Sequence, residues 1–245
     1  MVCSAQLHVS NTKTGTLIVT IVIGAAKRHL KTIFDNQKGG VSENVKALQN
    51  INPVSLMRPE CEEMESFVHF ITYAILRDPT TKEIFYYQRG KKGGESRLHG
   101  DYSVGVGGHV EKLGPIDDIT TLVVRTFQQE LKEEVSFELS DIELELLIKK
   151  VKGEAPGAYL IYDDSNPVGR VHLGIGIIFD ITKERLGELE DGTLLNTGWI
   201  KPRTMVLEHE AKTVNLENWS MFMCLTIDTM DAAQFVASVQ VKKKD

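Results

Sequence analysis

The sequence predicts an α/β protein in which a mixed sheet is covered by helices. Three observations carry this. Phe67–Leu76 (FVHFITYAIL) and Glu83–Arg89 (EIFYYQR) are rich in aromatic and β-branched residues. They flank the turn residues Arg77-Asp78-Pro79-Thr80 and read as a hairpin. Asp117–Val135 places Ile119, Leu122, Val123, Phe127 and Leu131 on one helical face, with Asp117 or Asp118 as its cap after Pro115. Strands and helices are mixed without the regular alternation of repeated βαβ units.

The remaining elements follow in order. Leu17–Ile23 reads as a strand and Ala25–Phe34 as a helix, with a second short helix at Ser42–Asn50. Tyr102–Val106 is a short strand ending in Gly107-Gly108. Glu143–Val151 and Val171–Phe179 read as strands, and Leu194–Ile200 as one more. Glu208–Cys224 looks helical with Trp219 packed in the core, Ala232–Val241 is a last helix, and Lys242–Lys244 a solvated tail. This divides the 245 residues into an N-terminal extension (1–65), a central domain (66–205) and a C-terminal helical segment packed on it (206–245).

Composition bounds the function. Hydrophobic residues make up 42% and charged residues 25%, so a core can form and chain-wide disorder is excluded. The net charge is −6, which argues against stable nucleic-acid binding. Cys3, Cys61 and Cys224 are too scattered for a disulfide framework or a zinc spacing, and none has a visible base partner. Thr16–Ala26 is the nearest approach to a membrane or secretory segment, but its Val, Ile and Thr content favours a buried strand. A reducing, cytoplasmic compartment without membrane attachment is expected.

The chemistry concentrates in Gly107-Gly108-His109-Val110-Glu111 and in Gln129-Glu130-Leu131-Lys132-Glu133-Glu134. Glu130, Glu133 and Glu134 share one face of a helix, about 5–6 Å apart at Cβ. Like charges so close repel unless a cation lies among them, and carboxylates suit Mg²⁺ or Mn²⁺. A solvated acidic face is the plainer alternative. The glycine pair lets backbone approach a ligand closely. The loop Arg89–His99 carries Arg89, Lys91, Lys92, Arg97 and His99, which could receive substrate phosphates or simply be solvated. It lacks the spacing of a P-loop. His172, in an apolar strand, reads as a hydrogen-bonded core histidine in preference to a ligand.

These residues resemble the Nudix hydrolase box, in which a Gly and a Glu precede Arg-Glu-apolar-any-Glu-Glu-any-Gly-apolar. Gly108, Glu130, Leu131, Glu133, Glu134 and Phe137 match it, and GGHVE is typical of the loop entrance. The stretches RGKKGGESRLHGDYSVGVGGHVE and VGRVHLGI are also similar to a bacterial or phage subgroup of Nudix-like proteins. The resemblance covers roughly 66–205 and implies an α/β/α sandwich. It implies a Mg²⁺ (or Mn²⁺) centre held by Glu130, Glu133 and Glu134 with Glu111 and the Gly107 carbonyl. It further implies hydrolysis of a nucleoside-diphosphate-linked compound or another organic pyrophosphate, with Glu130, Glu133 and Glu134 catalytic. A homodimer is compatible with it. Four departures stand out: Gln129 replaces the Arg, Gly114 stands where the first Glu belongs, Ser136 replaces the closing Gly, and the stretch after Glu111 is long. They keep open a second reading, a Nudix-like nucleotide-binding module without turnover. Prenyl diphosphate isomerisation, known on a similar fold, would need a cysteine that the box lacks.

Overall fold

A computed structural model describes residues 20–34, 39–92, 95–112 and 118–242, the last eight of these in backbone only. Residues 16–19, Gly93, Gly94, Gly114, Asp117 and the tail Lys243-Lys244 therefore lie outside the described residues. The contacts fall into two compact units. Within the described residues, the first falls in the ranges 20–73, 107–132 and 138–177, and the second in 74–106, 133–137 and 178–242.

In the first unit, β1 (Ile21–Ala26), β2 (Gly39–Ser42), β3 (Val54–Met57), β4 (Phe67–Arg77), β7 (Ala158–Asp163) and β8 (His172–Asp180) are ordered β2-β7-β8-β4-β1-β3. β4 and β8 each run on into the second unit. There β5 (Ile84–Arg89) returns antiparallel from β4 at the pair Arg77–Ile84, and pairs in turn with β6 (Tyr102–Ser103) and β9 (Leu194–Ile200). The hairpin turn is held by the Asp78 carboxylate, which accepts from the Thr80 and Thr81 amides at 2.9 and 2.6 Å. The α/β class expected from the sequence is the one found.

Helix α2 (Ile119–Val135) follows its hydrophobic pattern closely. Leu122, Val123, Phe127 and Leu131 are buried, while Arg125, Gln128, Gln129 and Lys132 face solvent. Each buried side chain of this kind contributes about 1.5–3 kcal/mol. Asp118 is the cap, accepting from the Thr121 amide at 3.1 Å and its hydroxyl at 2.8 Å. The Thr121 hydroxyl in turn holds the Asp118 carboxyl below its ordinary pKa. The helix exits through Ser136 at φ +48°, the left-handed conformation that a closing Gly normally supplies. The exit differs in residue and not in geometry, and the Ser136 hydroxyl donates to the Glu188 carbonyl at 2.8 Å.

Several local expectations are corrected. Glu143–Val151 is not a strand but lies in α3 (Asp141–Val151). The alternation Ile-Glu-Leu-Glu-Leu imitates a strand, yet Ser140 and Glu143 form a reciprocal capping box, and the buried pair Leu147 and Val151 has helical spacing. β7, which carries no expectation above, is buried at all six residues between β2 and β8. The helix expected over 208–224 is broken. α4 (Pro202–Glu210) ends before Lys212 at φ +62°, and α5 (Asn218–Lys242) starts afresh. Trp219 is half-buried. At the N-terminus the strand is Ile21–Ala26, and both expected helices are 3₁₀ turns, Lys27–Thr32 and Val45–Asn50. No helix of the described residues is long and apolar enough to cross a membrane.

Two outcomes follow, both read by urea denaturation. Ser140→Ala lowers stability by about 1 kcal/mol through loss of the cap. Ser136→Ala is less stable than Ser136→Gly by about 1 kcal/mol, because alanine keeps the left-handed strain without the hydroxyl contact.

Candidate functional site

The segment after the second unit's strand β6 re-enters the first unit at Gly107. Gly107 adopts φ +152°, and a Cβ there would lie 2.1 Å from the Thr72 carbonyl oxygen of β4. Only glycine allows that approach. Beyond it the chain is stitched into the sheet on two sides. The Thr72 amide donates to the Gly108 carbonyl at 2.9 Å, and the Val110 amide to the Phe70 carbonyl at 2.9 Å. On the other side the Ile23 amide donates to the Val110 carbonyl at 2.8 Å, and the Lys112 amide to the Ile21 carbonyl at 2.9 Å. Glu111 is half-buried and bridges to Val22.

Glu130 meets this segment. A Cβ on Gly108 would stand 2.4 Å from the Glu130 Oε1, so the carboxylate lies directly on the glycine backbone. The glycine pair thus serves two close approaches, one to a strand and one to an acidic side chain. Glu133 and Glu134 follow on the same continuous helix, in the residues counted with the second unit. Glu133 is exposed and Glu134 half-buried. Gln129 and Arg125 are exposed.

The basic residues of the 89–99 loop lie in the second unit and mostly face carboxylates of that unit. The Arg89 guanidinium donates to both Glu217 oxygens, at 2.8 and 3.3 Å. Glu217 is buried and also accepts from Ser103 and Ser220, at 2.6 and 3.1 Å. Lys92 pairs with Asp191 at 3.4 Å and Arg97 with Glu95 at 2.6 Å. Lys91 is exposed and His99 half-buried.

The structure also gathers four residues whose sequence positions give no hint of proximity. His69 of β4, His109 of the glycine segment, His172 at the start of β8 and Glu62 just after α1 (Arg58–Cys61) each offer a donor atom, all within 4.8 Å of one another. The ring centroids are 4.1 Å apart for His69 and His172, 5.1 Å for His69 and His109, and 5.4 Å for His109 and His172. Burial foremost, then Arg58 and the two other imidazoles, holds His109 well below the ordinary histidine pKa, so it is neutral at pH 7. Strand alternation could have indicated that His69 and His172 are buried, but not that they converge.

Burial pushes the Cys61 thiol up to about 11 and the Cys224 thiol to about 12, which leaves both protonated and poor nucleophiles. In the first unit, a cleft of about 500 Å³ is lined by Lys27, Arg28, Lys31, Phe34, Tyr162 and Asp164 among others. Its Lys27 is bound to Asp164 at 3.0 Å.

No family model matches the sequence. Protein YmaB of Bacillus subtilis (strain 168) is 28% identical over 168 residues, which cover 69% of this chain and 75% of that protein. The crystal structure of Tm1382, assigned to the Nudix hydrolases, superposes with a TM-score of 0.61 at 19% identity, covering 86% of this chain and 99% of that one. The chain has the Nudix fold. The stretch that resembles the Nudix box is, in this structure, a glycine segment seated on a strand and a helix whose Glu130 rests on that segment.

Gly107→Ala destabilises by about 3 kcal/mol or more in urea denaturation, since both the positive φ and the backbone collision oppose it. Gly108→Ala stays within about 1 kcal/mol, because the atom it meets is the end of a flexible side chain. Its crystal structure shows the Glu130 carboxylate displaced.

Proposed function

We propose that the chain is a Mg²⁺- or Mn²⁺-dependent hydrolase of a small organic pyrophosphate, of the class of nucleoside-diphosphate-linked compounds. The observation that carries this reading is the Glu130 carboxylate held against the Gly108 backbone at the head of an acidic helical face. The donor set is of hard oxygens, the kind these cations take. Glu130, Glu133 and Glu134 would hold the ion, with Glu111 and the Gly107 carbonyl as further ligands. When bound, such an ion neutralises diphosphate charge and lowers the pKa of water. The chain's own part is to fix the carboxylates. Phe127 and Leu131 anchor the helix in the core while Gly107 and Gly108 fix the segment opposite Glu130. Glu130 and Glu134 would be the main ligands, and Glu133 would serve either as a ligand or as the base that removes a proton from the attacking water. Lys91, His99 and the neighbouring Arg89, Lys92 and Arg97 form the candidate phosphate-receiving group, and a cytoplasmic location suits such a substrate.

A second reading has its own support. Gln129 carries no charge where the box has Arg, and Arg89, Lys92 and Arg97 are each paired with a carboxylate. A nucleotide-binding module without turnover would tolerate both.

The deciding experiment is phosphate release from a panel of nucleoside triphosphates, nucleotide sugars, dinucleoside polyphosphates and NADH, with Mg²⁺ or Mn²⁺ and a coupling phosphatase. The expected outcome is metal-dependent release that falls by about 10²–10⁴-fold in Glu134→Gln. Nucleotide binding by calorimetry with no release from any compound would establish the second reading instead.

A further inference from the structure

We propose that Glu62, His69, His109 and His172 form a binding site for a transition-metal ion of the zinc type, separate from the carboxylates of α2. All four lie within the first unit. They come from four different places in the chain: the turn after α1, β4, the glycine segment and β8. Burying a polar ring is costly unless its nitrogens are engaged, and His69 and His172 are almost wholly buried.

The chemistry of the donors selects the ion. Three imidazoles and one carboxylate match Zn²⁺ and its neighbours, whereas Mg²⁺ and Ca²⁺ favour all-oxygen sets. The tautomer of one ring can be read directly. His172 Nδ1 lies 2.6 Å from the Val168 carbonyl oxygen, which can only accept, so Nδ1 carries a hydrogen and Nε2 is the nitrogen left for an ion. A backbone carbonyl that orients a histidine in this way is the usual support behind a metal-ligating imidazole. His109 Nε2 faces Glu62 Oε1 at 3.9 Å, so the carboxylate closes the cluster beside the rings.

The geometry needs only a small contraction. Zinc bonds of 2.0–2.1 Å in a tetrahedron put donor atoms about 3.4 Å apart. The donors here lie within 4.8 Å. His109 and Glu62 are the more accessible pair, with side chains 13% and 25% exposed, and can close the remaining distance by rotation. Four protein ligands would fill a tetrahedral ion, so the site is structural in kind. It would pin the glycine segment to β4 and β8 through side chains, in addition to the backbone bonds already there.

The test uses the full chain. Protein purified without chelator is assayed for bound metal by mass spectrometry. It is then stripped and titrated with Zn²⁺ against a chromogenic chelator, and with Co²⁺ by visible absorption. His69→Ala removes a wholly buried ring and could unfold the chain, so the variants are His109→Ala and Glu62→Gln, each checked by circular dichroism and thermal melting. Glu134→Gln serves as the control for the carboxylates of α2. The expected result is one equivalent of Zn²⁺, with tetrahedral Co²⁺ bands and a rise in Tm on binding. Affinity should fall by about 100-fold or more in His109→Ala and less in Glu62→Gln, and be unchanged in Glu134→Gln. Failure of the stripped wild-type protein to take up Zn²⁺ or Co²⁺ would overturn the proposal. Uptake equal in His109→Ala, or lost in Glu134→Gln, would overturn it as well, by moving the ion to other ligands. Phosphate release is not read in this experiment, so its outcome leaves the hydrolase reading to its own assay.

Discussion

The first unit depends on one close approach, that of Gly107 to the Thr72 carbonyl. A side chain at this position would collide with backbone that cannot move without breaking the β4 ladder. Because it is glycine, the chain can lie down between β4 and β1 and exchange hydrogen bonds with both over the next five residues. Everything of chemical interest in the unit hangs from this segment. Gly108 provides the flat surface for Glu130, His109 is delivered to the other imidazoles, and Glu111 is fixed opposite Val22.

Much of the fold was legible in the sequence because the relevant signals are local. The β4–β5 hairpin is announced by its aromatic and β-branched runs around Asp78-Pro79, and α2 by four buried residues at helical spacing. What misled was a competition between two local signals. In α3 the strand-like alternation of 142–146 is overruled by the Ser140 capping box and by the burial of Leu147 and Val151 one turn apart. The break between α4 and α5 is carried by Lys212 in a left-handed conformation, a residue with no turn preference of its own, so no composition rule marks it.

The candidate site divides along the same line. The spacing of Glu130, Glu133 and Glu134 and the glycine pair were readable because helix periodicity and backbone sterics are properties of neighbouring residues. The partners of the basic loop were not. Arg89 has the look of a phosphate ligand, and its engagement with Glu217 depends on a residue more than a hundred positions away. The histidine cluster is the extreme case, since its members come from separate elements and only the sheet order brings β4 and β8 side by side. Ser136 teaches the reverse lesson. Serine stands where the box has its closing glycine, yet the backbone holds the left-handed exit and the serine hydroxyl is bonded there.

Arg77, at the end of β4, is buried in the second unit, with two hydrogen bonds to Asp180 and one to Asp231 of α5. These partners lie 103 and 154 residues downstream. A chain growing on the ribosome therefore exposes this guanidinium long before either carboxylate exists. A buried cation without its counter-charges is strongly unfavourable, so the second unit closes around Arg77 only after α5 has been made. Its consolidation awaits α5, while the hairpin that carries Arg77 can form early from its own local contacts.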